Sequence, residues 1–372
     1  MRARSDKAAQ AAVSPTAASA GGAGSGPLRT PLGRWLLRGK DGRLTAYALT
    51  AEGVSRWTET RPGGPEWSGP DHFPGPHLTD LTIAQGRDGY AHLVGRRAVP
   101  GQGAPATTDL VHAVQYQSGR PLAPFRSLGT PNQTADRQAL IGVPAVVIDT
   151  VGTVHVLVRN AGRGLSVRWE DKTGKWAAWK DLKGSLLQGP PAAVATDAGR
   201  LEALCAGEGP AGHWVRPRPG VAIERAADIP LTVVPGSLTA LETAEDRVTY
   251  YWTDPETGGV VGHRPGGWLL PLGGAPAEGP VSVVRASLDG YDCTVFAYRD
   301  AFGQILLAAC GTENEQGGVW WAPTGEESIG QPGLAVDAHG RVVLTTLGAD
   351  GRLRVARQNG DPGLALAPSI TV

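Results

Sequence analysis

Tryptophan is over-used in this chain: there are eleven, against seven Tyr and four Phe. An indole offers a large amphipathic ring surface, and the C–H face of a sugar stacks on such a ring. Trp169, Trp176 and Trp179 stand within one short stretch, with Arg168 beside the first and Arg159 on the preceding apolar run. A guanidinium there can donate two parallel N–H bonds to a diol or a carboxylate. Trp268, Trp320 and Trp321 are further candidates, and strand alternation sends one ring of the last two to each face. The competing account is packing, in which such rings fill gaps between neighbouring units and such arginines are solvated edge charges. Trp35, Trp57, Trp214 and Trp252 fit packing better.

Other chemistry is thin. His72, His77, His92 and His112 gather early in the chain, but a metal needs three or four donors to converge and no HExxH spacing occurs. No metal site and no cofactor are expected. Asp149 and Asp337 fall at the same place in two similar segments, with Asp197 one residue later in a third. A ring of carboxylates around a channel could hold a cation, but Asp more simply caps turns through its own side chain. There is no GxSxG elbow and no P-loop. A glycosidase needs two placed carboxylates, which a sequence does not place. The chain is therefore expected not to be an enzyme.

The elements that must position these residues are short strands in repeats. Residues 144–152 read PAVVIDTVG, 191–199 PAAVATDAG and 332–340 PGLAVDAHG. In each, Pro and Gly stand eight residues apart, and an apolar run follows. Leading prolines recur at 144, 191, 235, 280 and 332. Each unit offers about four strands separated by Gly-bearing turns, and no long amphipathic helix is present. A period in the forties built of four strands is the pattern of a β-propeller, whose ring buries faces that one sheet would leave exposed. Seven units can be counted from about residue 32. The first lacks a clear innermost strand before Gly33, so either 27–31 or the C-terminal LALAPSITV is expected to supply it. The expected fold is all-β, one seven-bladed propeller of four-stranded blades over 28–372, after a disordered Ala/Gly/Ser-rich tail over 1–27.

Composition bounds the partners. Lys plus Arg and Asp plus Glu are both 35, so the net charge is zero and no basic block suggests nucleic acid. No apolar run is long enough for a membrane span. The N-terminal stretch has a basic start and Ala18-Ser19-Ala20, but its centre is too weakly apolar for an ordinary signal peptide. A cytoplasmic location, or release by a route without such a leader, is expected, with secretion as the alternative. Cys205, Cys293 and Cys310 read as buried thiols, with a Cys293–Cys310 pair as the alternative.

Residues 152–184, GTVHVLVRNAGRGLSVRWEDKTGKWAAWKDLKG, carry a further signal. Its end is kept as GWLLPLGG at 267–274, part of it as RSLG at 126–129, and DGRL occurs at 41–44 and 350–353. This pattern resembles the bacterial seven-bladed propeller lectins of the fucose-binding, tectonin-like group, over roughly residues 32–366. The resemblance implies sugar sites in grooves between adjacent blades, against Trp and beside polar side chains. Trp169, Trp176, Trp179 and Trp268 match the family's tryptophan positions, while units four and seven lack the outer Trp pair. The expected function is a carbohydrate-binding, lectin-like module whose partner is a glycan or glycoconjugate. The alternatives are a protein-interaction platform using one propeller face, and a propeller-type glycoside hydrolase or lyase.

Overall fold

The computed structural model describes residues 27–100, 106–171 and 173–372. The expected disordered tail, Pro27 apart, lies outside them. Seven four-stranded antiparallel sheets follow one another along the chain, at 36–74, 78–129, 145–181, 192–225, 239–273, 282–327 and 333–371. These are blades one to seven, each built from four consecutive strands. The single α-helix among the described residues is the four-residue Ala135–Gln138.

The Pro-to-Gly segments make the inner strands and the turns that follow. In blade three the inner strand is Ala145–Ile148. The Asp149 carboxylate then accepts the N–H groups of Val151 and Thr153, and Gly152 takes φ 84°. Asp337 does the same for His339 and Arg341. The turn role of these aspartates is thus the observed one, and it fixes where each second strand starts. Small inner-strand residues such as Ala145, Ala193 and Ala195 let the strands converge on a central channel of about 260 Å³.

The apolar interior is divided into seven clusters, one between each pair of neighbouring blades. A twisted sheet buries both faces only if another sheet lies on each side, and the ring supplies both. Trp35 and Trp57 fill the seven/one interface, Trp214 the three/four interface and Trp252 the four/five interface. All four rings are fully buried, as expected for packing tryptophans.

Ring closure differs from both expected solutions. The inner strand of blade one is Leu36–Arg38, from the GRWLLRG segment itself. Residues 27–31 do not supply it; Arg29 makes only an isolated bridge to Leu49. The C-terminal Ile370–Thr371 is the outer strand of blade seven, paired to Leu353–Arg357. Among the described residues no sheet is shared between the chain ends, and side chains close the ring. Trp35 Nε1 donates to the Gln331 carbonyl at 3.0 Å, and Arg38 donates to the Asp337 carbonyl at 2.9 Å. Arg357 pairs with the buried Glu59, and Arg341 donates to the Gly63 carbonyl.

The outer strands of blades three, four and seven are shorter than their sequences suggest. In blade three only Lys180–Asp181 is strand, and in blade four only Glu224–Arg225. An outer strand has a partner on one side only, so little holds it regular, and Trp176 and Trp179 lie in irregular chain. The cysteines are free. Cys293 stands opposite Gly311, and Cys310 opposite Thr294, so the two thiols fall on opposite faces of their sheet and the alternative pairing is not made.

Candidate functional site

The third strand of blade three, Leu165–Glu170, decides where the candidate residues go. Alternation sends Leu165, Val167 and Trp169 into the interface with blade four. Arg168 and Glu170 point the other way, toward blade two. Neighbours in sequence therefore belong to different interfaces, and the expected Arg168–Trp169 pair does not act on one ligand. Arg168 donates from Nε to the Ala177 carbonyl at 2.7 Å and from Nη1 to the Leu128 carbonyl. Its guanidinium also lies over the Trp176 ring, 5.8 Å from the centroid. These contacts occupy it in tying blade three to blade two.

Arg159 is separated as well. It ends the second strand and stands opposite Leu165, whereas Trp169 stands opposite His155. Four residues along a strand is about 13 Å, beyond one monosaccharide. Arg159 is half-buried and its Nε has no protein partner.

Trp169 walls a groove of about 420 Å³ between blades three and four, together with Val167, His155, Arg216, Lys180 and Ile223. Its floor is a buried polar group. Arg216 Nη2 donates to Asp149 Oδ2 at 2.8 Å, and Arg216 Nη1 lies 3.1 Å from His155 Nε2. His155 Nε2 also lies 3.3 Å from Asp149 Oδ2, so it sits between a donor and an acceptor, and the tautomer sets which of the two it bonds. His155 Nδ1 and Arg216 Nε are both buried without a protein partner. One guanidinium donor and one imidazole nitrogen thus remain unused, among the described residues, in the groove that Trp169 walls. Burial alone would push the Asp149 carboxyl up, but contacts from His155, the Thr153 amide and Arg216 hold it well below the usual carboxylate range. Burial, opposed in part by Asp149, pushes the His155 imidazole down and keeps it neutral.

A second groove, of about 350 Å³, opens on the other side of blade three. Trp179 lines it with Asn132, Arg137, Asn160 and Asp181. Trp179 packs on the two/three core and donates from Nε1 to the Leu128 carbonyl at 3.2 Å. Trp176 packs on the same core, edge-on to His112 at 5.2 Å. The three tryptophans of unit three thus divide, one toward blade four and two toward blade two. Lys180 lines both grooves.

The remaining candidates lie on blades five and six. Trp268 is 91% exposed and stands free on the surface. Trp268→Ala is expected to change folding stability by no more than about 0.5 kcal/mol, as surface positions usually do; urea denaturation checks this. Trp320 and Trp321 point to opposite sides as expected, though from irregular chain ahead of the outer strand Ala322–Glu327. Trp320 is exposed. Trp321 is inside, 4.6 Å from Tyr298, donating to the Leu272 carbonyl at 2.8 Å. It is a packing residue.

His155, Arg216, Lys180 and Ile223 were not singled out from sequence. Arg216 ends the third strand of the next blade, 67 positions from its partner Asp149. Only the blade-to-blade offset, which one repeat does not display, brings them together.

No protein-family model matches this chain, and no curated protein sequence does. Solved structures do. The BP39L lectin from Burkholderia pseudomallei superposes with a TM-score of 0.65 at 12% identity, over 94% of this chain and 99% of that one. A putative 6-phosphogluconolactonase from Bacteroides uniformis gives 0.58 at 16% identity, over 86% and 93%. A Hadza microbial sialidase gives 0.51 at 16% identity, over 82% and 71%. The shared property is the fold. This chain is a seven-bladed β-propeller, as the repeats and the resemblance to propeller lectins imply.

Proposed function

We propose that this protein is a non-enzymatic carbohydrate-binding module whose main site is the groove between blades three and four. The observation that carries this reading is the indole of Trp169 in one groove with two buried, unpartnered polar atoms, the donor Arg216 Nε and the imidazole nitrogen His155 Nδ1. A sugar matches both halves of such a site. Its C–H face lies on the ring, a hydroxyl or carboxylate oxygen accepts from Arg216 Nε, and a hydroxyl, which both donates and accepts, bonds His155 Nδ1. Lys180 at the rim adds a mobile donor. The likeness in fold to a protein named as a lectin supports the same reading. Binding is favoured over hydrolysis because the carboxylate at the floor, Asp149, is committed to Arg216 and the turn amides. A glycosidase needs a second carboxyl opposed to the first and free to carry a proton. The Asp171 side chain, also on the groove, accepts from the N–H groups of Thr173 and Lys175.

The test is a broad glycan array on the full chain, followed by titration with the best glycan. Trp169→Ala is expected to weaken binding at least tenfold, about 1.4 kcal/mol, and Trp176→Ala less than about threefold, since that ring faces blade two. Loss confined to Trp179→Ala would move the site to the smaller groove. A blank array from folded protein would sink the reading for the glycans tested. The second reading is a protein-interaction surface on blades five and six, favoured by exposed Trp268, Leu269 and Trp320.

A further inference from the structure

We propose that His92, His112 and Glu170 form a zinc-binding site between blades two and three. It is separate from the Trp169 groove, because Glu170 points to the opposite side of the same strand.

The four early histidines part company in the fold. His72 is tied to Ser55 Oγ at 3.0 Å, and His77 is exposed in a turn with φ 66°. His92 and His112 lie on adjacent antiparallel strands of blade two, Ala91–Val99 and Thr107–Gln115. His92 stands opposite Val114, and His112 opposite Val94. That offset of two residues places both rings on one face, toward blade three. There they stack nearly parallel, with centroids 5.3 Å apart. Both are buried, at 7% and 6% exposure. Glu170, at the end of the third strand of blade three, brings its carboxylate to the same point. One donor atom from each residue lies within 4.8 Å of the other two.

The donor chemistry suits zinc. Two imidazole nitrogens and one carboxylate oxygen are a recurrent zinc set, and three protein ligands leave a fourth position for water or another oxygen donor. Ligands about 2.0–2.1 Å from a tetrahedral ion stand ~3.3 Å apart. The His92 Nδ1 to His112 Nε2 distance is 3.0 Å, so the two rings need only small movements to admit the ion. The half-buried Glu170 gives access from outside, and its carboxylate also accepts from the Trp176 side chain. Arg126, opposite His112 in the next strand, is exposed and free to carry its charge into solvent. Trp176 packs edge-on against His112 at 5.2 Å and walls the site. A bound ion joins two blades, so it stabilises the folded ring by mass action.

The experiment uses the full chain stripped with a chelator and titrated with Zn²⁺ alone, followed by calorimetry and by Trp176 fluorescence. One zinc per chain is expected, with a fluorescence change that Trp176→Phe removes. Co²⁺ in place of zinc is expected to show the visible band of a low-coordinate nitrogen and oxygen site. Glu170→Gln keeps the size of a half-buried side chain and is expected to weaken zinc at least tenfold. It is also expected to abolish the zinc-dependent rise in the urea midpoint while leaving the zinc-free midpoint unchanged. His112→Gln is expected to remove stoichiometric binding. The His72→Gln/His77→Gln double variant is expected to bind as the parent does. Failure of the parent chain to bind zinc stoichiometrically overturns the proposal, and so does binding that survives Glu170→Gln undiminished. Neither result bears on the glycan groove.

Discussion

Arg216→Ala is expected to cost about 3–5 kcal/mol of folding stability, the range seen when one partner of a buried ion pair is removed. The physical cause is the partner left behind. Asp149 is fully buried and ionised, and Arg216, itself 3% exposed at its side chain, is the cation that faces it at 2.8 Å. Without the guanidinium the carboxylate retains only its turn amides and His155, and the interface of blades three and four keeps an uncompensated charge. Urea denaturation of both forms measures the loss. The double variant Asp149→Asn/Arg216→Met is expected to lose much less than the sum of its single changes, because it removes both charges and fills the volume. Equal losses for the double variant and the sum would show that the pair is not coupled.

Acid is expected to produce the second large effect, through buried histidines. Burial pushes His92 down to about 4, with Asp88 opposing. Burial, then the neighbouring His92 and Arg126, pushes His112 down to about 3. Burial also lowers His155 and His263. The sign follows from linkage. In the unfolded chain these rings take up protons near pH 6.5, while in the folded chain they resist until much lower pH. The unfolded state therefore binds more protons below about pH 6.5. Stability is full above that value and falls as pH drops, by about 1.4 kcal/mol for each unit of separation at each group. The loss from His92 levels off below about 4, and that from His112 below about 3. Unfolding free energies measured from pH 7.5 to pH 3.5 in the absence of divalent metal are expected to fall steeply below about 6. His112→Gln is expected to flatten the curve in that window. A curve flat from 7.5 to 4 would show that these rings take up protons in the fold as they do in the unfolded chain.

The two effects share an origin in the architecture. A propeller blade offers both faces to neighbours, so polar residues near the ends of its strands become buried between sheets. They must then find partners across the interface or remain neutral. Asp149, His155 and Arg216 take the first course and His92 with His112 the second. The consequence is that the chemistry of this protein lies between blades rather than within them.

Much of this was legible in the sequence. The Pro-to-Gly segments at 144–152, 191–199 and 332–340 determined four-stranded units and their number, because period-two apolar runs broken by φ-positive glycines have few alternatives. The Asx turn at Asp149 follows from the same local chemistry. Trp35, Trp57, Trp214 and Trp252 were readable as packing residues because they fall inside the short strand segments of their units. What the tertiary structure alone decided is the pairing of faces across blades. It sent Trp169 to one neighbour and Arg168 to the other, set Arg159 about 13 Å away along the strand, and brought Arg216 to Asp149 and Glu170 to His112. It also closed the ring through Trp35 and Arg357 instead of a shared sheet. Strand order and turn type are written within about ten residues of each site, but a contact between blades depends on the angle at which one sheet packs on the next. That angle is set by the whole ring, so no single repeat contains it.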